Sequence, residues 1–233
     1  MAEVIIAPVP LWGTRSDRRE ALIAGLVSAL ITALYVGIAA SFETPTTWLE
    51  ILSVWASLAS VWLARTENIW TVPYGLGAVV VLGWFLLDVG IVAQGWLQFI
   101  YYVPVQVACW WAWSRGGYQG GELEVSGLSP RGWFLSVGLS IALWLGLAGL
   151  FEVLYDEPSY VFWDSSIVAA SITAQFLMTR KKTESWWWWT IPVNVSSIGL
   201  FARTELWAFM VLYIFFLVNS TWGWKTWREV EER

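Results

Sequence analysis

The sequence predicts an all-α integral membrane protein, a parallel 3+1+3 repeat of transmembrane helices with one extra helix ahead of it. Three observations carry this. The chain is 58% apolar and 13% charged, with a mean hydropathy of +0.58, outside the range of ordinary soluble domains. Its apolar residues fall into segments near the length that crosses a bilayer as a helix, about 20 residues. Of eight such segments, seven read as two copies of a three-segment unit with a single segment between them.

The segments lie at roughly 21–41, 46–64, 69–87, 96–114, 131–151, 160–178, 187–202 and 206–224. Residues 1–20 carry Arg15, Asp17, Arg18, Arg19 and Glu20 ahead of a full-length apolar run with no small-residue cleavage site. They read as a cytoplasmic tail rather than a secretory signal. Residues 21–45 make the extra helix and 46–115 the first repeat. The longest polar connection, Ser114 to Arg131, opens the stretch 116–159, which also holds the linking helix. The second repeat and a cytoplasmic C-terminal tail occupy 160–233.

Short matching phrases define the copies. Trp70-Thr71-Val72-Pro73 returns as Trp189-Thr190-Ile191-Pro192. The Trp-x-x-Trp of Trp110 and Trp113 returns at Trp224 and Trp227, and Glu50 lands on Asp164. Both units start outside and end inside, because the linking segment restores the direction. They are therefore parallel repeats. With the N-terminus inside, twelve of the thirteen basic residues fall on the cytoplasmic side and only Arg203 outside, a strong positive-inside pattern. Glu43, Asp88, Glu152, Asp156, Glu157 and Glu205 mark the opposite face.

Several chemistries are excluded. Cys109 is the single cysteine, so no intramolecular disulfide forms, and there is no histidine. A Ser-His-Asp hydrolase is ruled out and a zinc or haem site disfavoured. No Gly-rich phosphate loop follows a strand pattern, and no lysine lies deep in a span. No metal, no cofactor and no nucleic-acid partner are expected, and the chain does not read as an enzyme.

What remains is polar and aromatic chemistry inside the spans. Two related halves of membrane helices leave a substrate site near the midplane in many small-molecule transporters. Glu50 and Asp164 stand about a turn inside the outer boundary. They either face a bundle interior or sit at the interface, capping their helices. Gln98 and Gln106, eight residues apart, lie within about 80° of one another on one face. Gln175, Asn194 and Asn219 supply further in-membrane amides, which need a neighbouring helix or a ligand.

Tryptophan is the most prominent residue, at 21. Trp222, Trp224 and Trp227 read as an interfacial belt. Trp186-Trp187-Trp188-Trp189 points around the whole helix and must serve more than one purpose. Trp186 and Trp189 share a face, with Asn194 further along. Indole faces attract flat or cationic rings. Pro73 and Pro192, at matching places in the middle span of each unit, predict paired kinks.

These residues give the chain a specific resemblance. It resembles the PnuC family of vitamin transporters, whose best-known substrate is nicotinamide riboside. The carrying residues are Trp48-Leu49-Glu50, Leu97-Gln98-Phe99-Ile100-Tyr101-Tyr102 and Trp110-Trp111-Ala112-Trp113-Ser114-Arg115. In the second unit they are Phe162-Trp163-Asp164-Ser165, Leu177 to Lys181, and Glu184-Ser185-Trp186 with Trp189 and Asn194. The likeness covers about 46–227. It implies a plan like that of a full-length SWEET sugar transporter, a homotrimer in a bacterial-type inner membrane, and facilitated diffusion of the unphosphorylated vitamin. Uptake would be made one-way by a separate cytoplasmic kinase. Carried over residue by residue, the family site implies Trp186, Trp189 and Asn194. The spacing to Asn194 runs a residue longer than in the family, which leaves Trp187 open as the substrate-facing ring. The same resemblance makes span 21–41 an addition to a seven-span plan.

The expected site therefore comprises Trp186, Trp187, Trp189, Asn194, Gln98, Gln106, Trp163, Asp164 and Gln175. The expected ligand is nicotinamide riboside, whose pyridinium suits indole faces. The alternatives are thiamine or another ring-bearing vitamin, then a non-transporting scaffold or sensor. An integral-membrane enzyme comes third, since only Glu50 and Asp164 are offered as an acid–base pair.

Overall fold

This computed structural model describes residues 13–43, 46–88, 96, 98–117, 122–154, 160–203, 205 and 207–232. Asp156 and Glu157 of the acidic face, and Leu97 of the PnuC-like motif, lie outside the described residues. Within these bounds the chain is all-helical, apart from one isolated parallel bridge between Ser126 and Lys182.

The helices are α1 (Arg15–Ser41), α2 (Trp48–Arg65) and α3 (Thr71–Asp88). Next comes α4 (Val103–Arg115), entered through a π-helical stretch, Gln98–Tyr102. Then follow α5 (Pro130–Leu154) and α6 (Val161–Thr179). The next run is α7 (Glu184–Trp188), a second π-helical stretch (Trp189–Val195) and α8 (Ser196–Arg203), and α9 (Trp207–Glu231) ends the chain. Each apolar segment read from the sequence holds one of these. The helix α1 opens at Arg15, inside the segment expected to be a tail. By length and composition α1, α6 and residues 130–153 of α5 can each cross a membrane.

The chain divides into two compact units. The first comprises Met1–Val36, Pro45–Glu124 and Thr179–Lys181, and the second Gly37–Thr44, Val125–Met178 and Lys182–Arg233.

In the first unit, α2 starts where Thr47 accepts the Glu50 amide at 3.2 Å, a side-chain N-cap. It ends in a Schellman turn, with the Asn68 amide on the Leu63 carbonyl at 3.0 Å and Glu67 left-handed at φ 57°. Ser60 and Thr71 exchange side-chain to carbonyl hydrogen bonds of 2.8 and 2.9 Å between α2 and α3. Polar contacts fasten α1 along its length. Asn68 Nδ2 donates to the Asp17 carbonyl and Glu20 carboxylate, both at 3.0 Å. The Tyr74 hydroxyl reaches the Ala21 carbonyl at 3.2 Å, and Trp55 Nε1 the Gly25 carbonyl at 2.8 Å. Tyr35 donates to Glu50. Close approach is possible because Gly25 has no side chain; a Cβ there would lie 2.6 Å from the Tyr74 hydroxyl.

Helix α6 runs through the second unit to Met178 and ends, across Thr179–Lys181, in the same kind of turn as α2. The Lys182 amide bonds the Leu177 carbonyl at 3.0 Å and Lys181 is left-handed at φ 47°. A buried cluster of Ile167, Ala170, Ala174, Leu177, Trp188 and Val193 joins α6 to the run Glu184–Arg203.

The two matched prolines meet different backbones. Pro73 is the third residue of α3, where a helix has no N–H to lose. At that position the proline removes no intrahelical hydrogen bond, unlike the loss the sequence predicted for it. Pro192 sits inside the second π-helical stretch. There the wider i→i+5 pattern absorbs its missing donor.

Candidate functional site

In the first unit, Gln98 and Gln106 do share a face, and that face meets α3. A Cβ on Gly75 would lie 2.7 Å from Gln106 Nε2, and one on Gly83 would lie 3.1 Å from Gln98 Cβ. Gly75 thus receives the Gln106 amide, and Gly83 receives the Phe99 ring, 2.7 Å from its Cβ position, with the Gln98 stem beside it. Glu50 neither snorkels outward nor lies free. It is 6% exposed and accepts the Tyr35 hydroxyl from α1. The sequence had no signal for that partner, which lies on the helix outside the repeat.

The second unit sorts the four tryptophans. Trp186 is 1% exposed, and its ring seals against α9. A Cβ on Gly223 would lie 2.7 Å from its indole, and Trp227 stands edge-on at 5.5 Å. Trp227 is itself fully buried, so it is no member of the interfacial belt to which its spacing assigned it; Trp222 remains exposed. Trp188 is a core residue stacked on Trp133. The indole N–H groups of Trp186 and Trp188 have no hydrogen-bond partner among the described residues. Trp187 and Trp189 are only partly buried. Both pack on the Ile167 cluster, where Trp163 and Tyr213 also pack with surface remaining. Three of the sequence-selected rings therefore pack against one cluster, which runs along α6 from Ile167 to Leu177, and Trp186 is not among them.

Asn194 is 3% exposed on the π-helical stretch. Its Nδ2 donates to Ser220 Oγ of α9 at 3.1 Å. Thr190, one turn earlier, lies 2.7 Å from the Trp186 carbonyl and 3.1 Å from Ser220 Oγ. The sequence singled out Asn219 on α9, but the neighbour Ser220, 1% exposed, faces the π-helical stretch. One residue turns about 100° around a helix. A legible signal existed: Thr190 and Asn194 lie four apart, a spacing that calls for a polar partner opposite.

Asp164 is half-buried near the start of α6, its amide on the Tyr160 carbonyl at 2.8 Å. Beside it Trp163 lies over Gly199 of α8, where a Cβ would come within 3.0 Å of the ring. Gln175 is 9% exposed on the same helix. No cluster of His, Cys, Asp or Glu able to hold a metal occurs among the described residues.

One further polar group escaped the sequence reading. Lys181, counted there only among the cytoplasmic basic residues, is fully buried in the first unit. Its Nζ lies 2.9 Å from Glu67 and 3.1 Å from Glu122, and 5.0 Å from the centre of the Trp113 ring.

Apolar helices with amides, a carboxylate and partly exposed indoles along their interior define a polytopic membrane protein of the transporter class. The sequence profile of the family described as nicotinamide mononucleotide transporter matches residues 47–229. The chain belongs to that family. It is 29% identical over 204 residues to the nicotinamide riboside transporter PnuC of Escherichia coli K12, covering 77% of this chain and 84% of the relative. It is 26% identical over 202 residues to the nicotinamide riboside transporter PnuC of Neisseria mucosa, covering 81% and 75%. The fold matches the crystal structure of the vitamin B3 transporter PnuC with a TM-score of 0.72 at 21% identity, over 95% of this chain and 99% of that one. The unmatched 5% is shorter than the 27-residue α1. The likeness therefore extends into α1, although the family profile begins after it.

Proposed function

We propose that this protein carries nicotinamide riboside across the membrane by alternating access, as facilitated diffusion. In this reading uptake is made one-way by a separate cytoplasmic kinase. The observation that carries the proposal is the packing of Trp163, Trp187, Trp189 and Tyr213, each partly exposed, against one buried cluster, in a family whose curated relatives are named for this vitamin. A flat cation suits indole faces, and Asp164 adds a favourable charge. Asn194 and Gln175 offer hydrogen bonds to the carboxamide and ribose. Trp186 supports the site from behind, and Gln98 and Gln106 hold α4 against α3.

The family description names the mononucleotide, whereas the curated relatives are named for the riboside. Side-chain chemistry favours the riboside. No lysine or arginine occurs in 161–179, 184–202 or 207–224. A phosphate dianion would meet Asp164 with no cation to offset it.

The finer architecture belongs to the same reading: a parallel 3+1+3 repeat with both termini cytoplasmic, a homotrimer, and the inner membrane. The matching turns at Glu67 and Lys181 support the repeat, and the basic asymmetry of the sequence supports the orientation.

Calorimetry on monodisperse protein tests the proposal with nicotinamide riboside, its mononucleotide and thiamine. The riboside is expected to bind tightest. Trp189→Ala and Asn194→Ala each weaken it, and Trp189→Phe keeps part of the affinity. A cation–π contact contributes about 2 kcal/mol when desolvated, and a neutral hydrogen bond on the order of 1 kcal/mol. Binding of thiamine or the mononucleotide in preference to the riboside overturns the substrate assignment.

A further inference from the structure

Ser220 is 1% exposed and sits at the junction of three polar contacts. Its Oγ lies 3.1 Å from the Leu217 carbonyl, 3.1 Å from Thr190 Oγ1 and 3.1 Å from Asn194 Nδ2. A serine hydroxyl has one proton and two lone pairs. Thr190 donates its one proton to the nearer Trp186 carbonyl at 2.7 Å, so the Ser220 proton goes to the Leu217 carbonyl or to Thr190 Oγ1, and either way a lone pair is left to accept from Asn194 Nδ2. Asn194 commits an N–H to it, so the amide's carbonyl oxygen is turned away from α9.

That orientation has a chemical consequence. An asparagine amide has two unlike ends, one that donates and one that accepts, and a half-turn of the group exchanges them. We propose that Ser220 is a positioning residue that fixes which end of Asn194 meets the substrate, and thereby sets a preference for a ring carboxamide over a ring carboxylate. A carboxamide brings N–H donors to a fixed carbonyl. A carboxylate brings only acceptors and leaves that carbonyl unpaired against it. Ser220 does this without touching the substrate.

The inference rests on the substrate reading above, and one experiment separates the two. Affinities for nicotinamide riboside and for nicotinic acid riboside are measured by calorimetry on the full chain in detergent. Wild-type protein is expected to prefer the carboxamide by roughly tenfold, the scale of one hydrogen bond. Ser220→Ala frees the amide to turn, so carboxamide binding falls and carboxylate binding holds or rises. The ratio then drops several-fold, while Ser220→Thr, which keeps the hydroxyl, preserves it. Ser220→Cys, a weaker acceptor of similar size, gives an intermediate ratio and carries the test if the alanine variant does not fold. A structural role alone weakens both ligands together, so an unchanged ratio in Ser220→Ala or Ser220→Cys overturns the proposal. Wild-type protein that binds thiamine and neither riboside fails at the earlier step, overturning the substrate reading and this inference with it.

Discussion

Glu67 and Lys181 hold the same place in two matching turns, and they pair with each other at 2.9 Å. Each lies four residues beyond a leucine, Leu63 or Leu177, whose carbonyl accepts the amide just after it. Each is left-handed, at φ 57° and 47°, a conformation that costs a residue with a Cβ about 1 kcal/mol. The Lys181 side chain is 1% exposed, against 23% for Glu67 and 48% for Glu122. The ammonium is thus the desolvated partner, and the carboxylates keep some water.

Lys181→Met should therefore destabilise the protein by leaving Glu67 without its cation. The loss falls below the roughly 3–5 kcal/mol of a fully buried pair, because both carboxylates are partly hydrated. Glu122→Gln should change stability by less than about 1 kcal/mol, as for exposed pairs. Thermal unfolding in detergent reads both. Equal melting temperatures for wild type and Lys181→Met would remove the pair from the stability account.

Gly223 is required by the ring of Trp186. Gly223→Ala places a Cβ 2.7 Å from an indole that Trp227, one turn along the same helix, meets edge-on at 5.5 Å. Overpacking of this kind costs about 1–3 kcal/mol. The folded fraction should bind substrate normally, since the sealed ring lies behind the site in the proposed reading. Reduced affinity with unchanged melting would instead place Trp186 in contact with the ligand.

Tyr35→Phe removes the donor from a buried carboxylate, Glu50. Leaving such a group unsatisfied costs about 1–3 kcal/mol, or more if it stays charged. Glu50→Gln should be milder, because the amide still accepts from Tyr35. A double-mutant cycle on melting free energies checks the coupling. Purely additive effects would mean that the two residues act independently.

Transport should not depend on an ion gradient. The spans carry no histidine relay, and Asp164 is the one carboxylate in the proposed site. Proteoliposomes without a kinase should equilibrate labelled riboside and stop there. Concentration of unmodified substrate driven by sodium or protons would sink the facilitated-diffusion reading.

Both termini should resist protease added to intact cells, while a cleavage site inserted after Asp156 is cut. The motive is that the proposed N-inside orientation gathers twelve of the thirteen basic residues on one side. Digestion of both terminal tags from outside would reverse the orientation.

The shared face of Gln98 and Gln106 was legible because helical periodicity is a local property. What that face meets was not: Gly75 and Gly83 lie on another helix, and their fit depends on packing. The tryptophan run shows the same limit. Four successive indoles announce that one helix serves several surroundings. Only the neighbours decide that Trp186 closes on Gly223 and Trp188 enters the core. The choice between Asn219 and Ser220 turned on a single residue of rotation, which a π-helical stretch on the partner makes harder still to read.

The sequence by itself determined the helical membrane class, the places of the spans and the residue types available for chemistry. Apolar length and periodicity are set within each segment, and lipid allows a spanning segment few other structures. Tertiary structure alone decided which polar groups are already taken. It gave Glu50 to Tyr35, Lys181 to Glu67 and Glu122, and Asn194 to Ser220. The reason is physical: a buried polar group must find a partner. These partners stand 15 or more residues away, brought near only by the packing of helices.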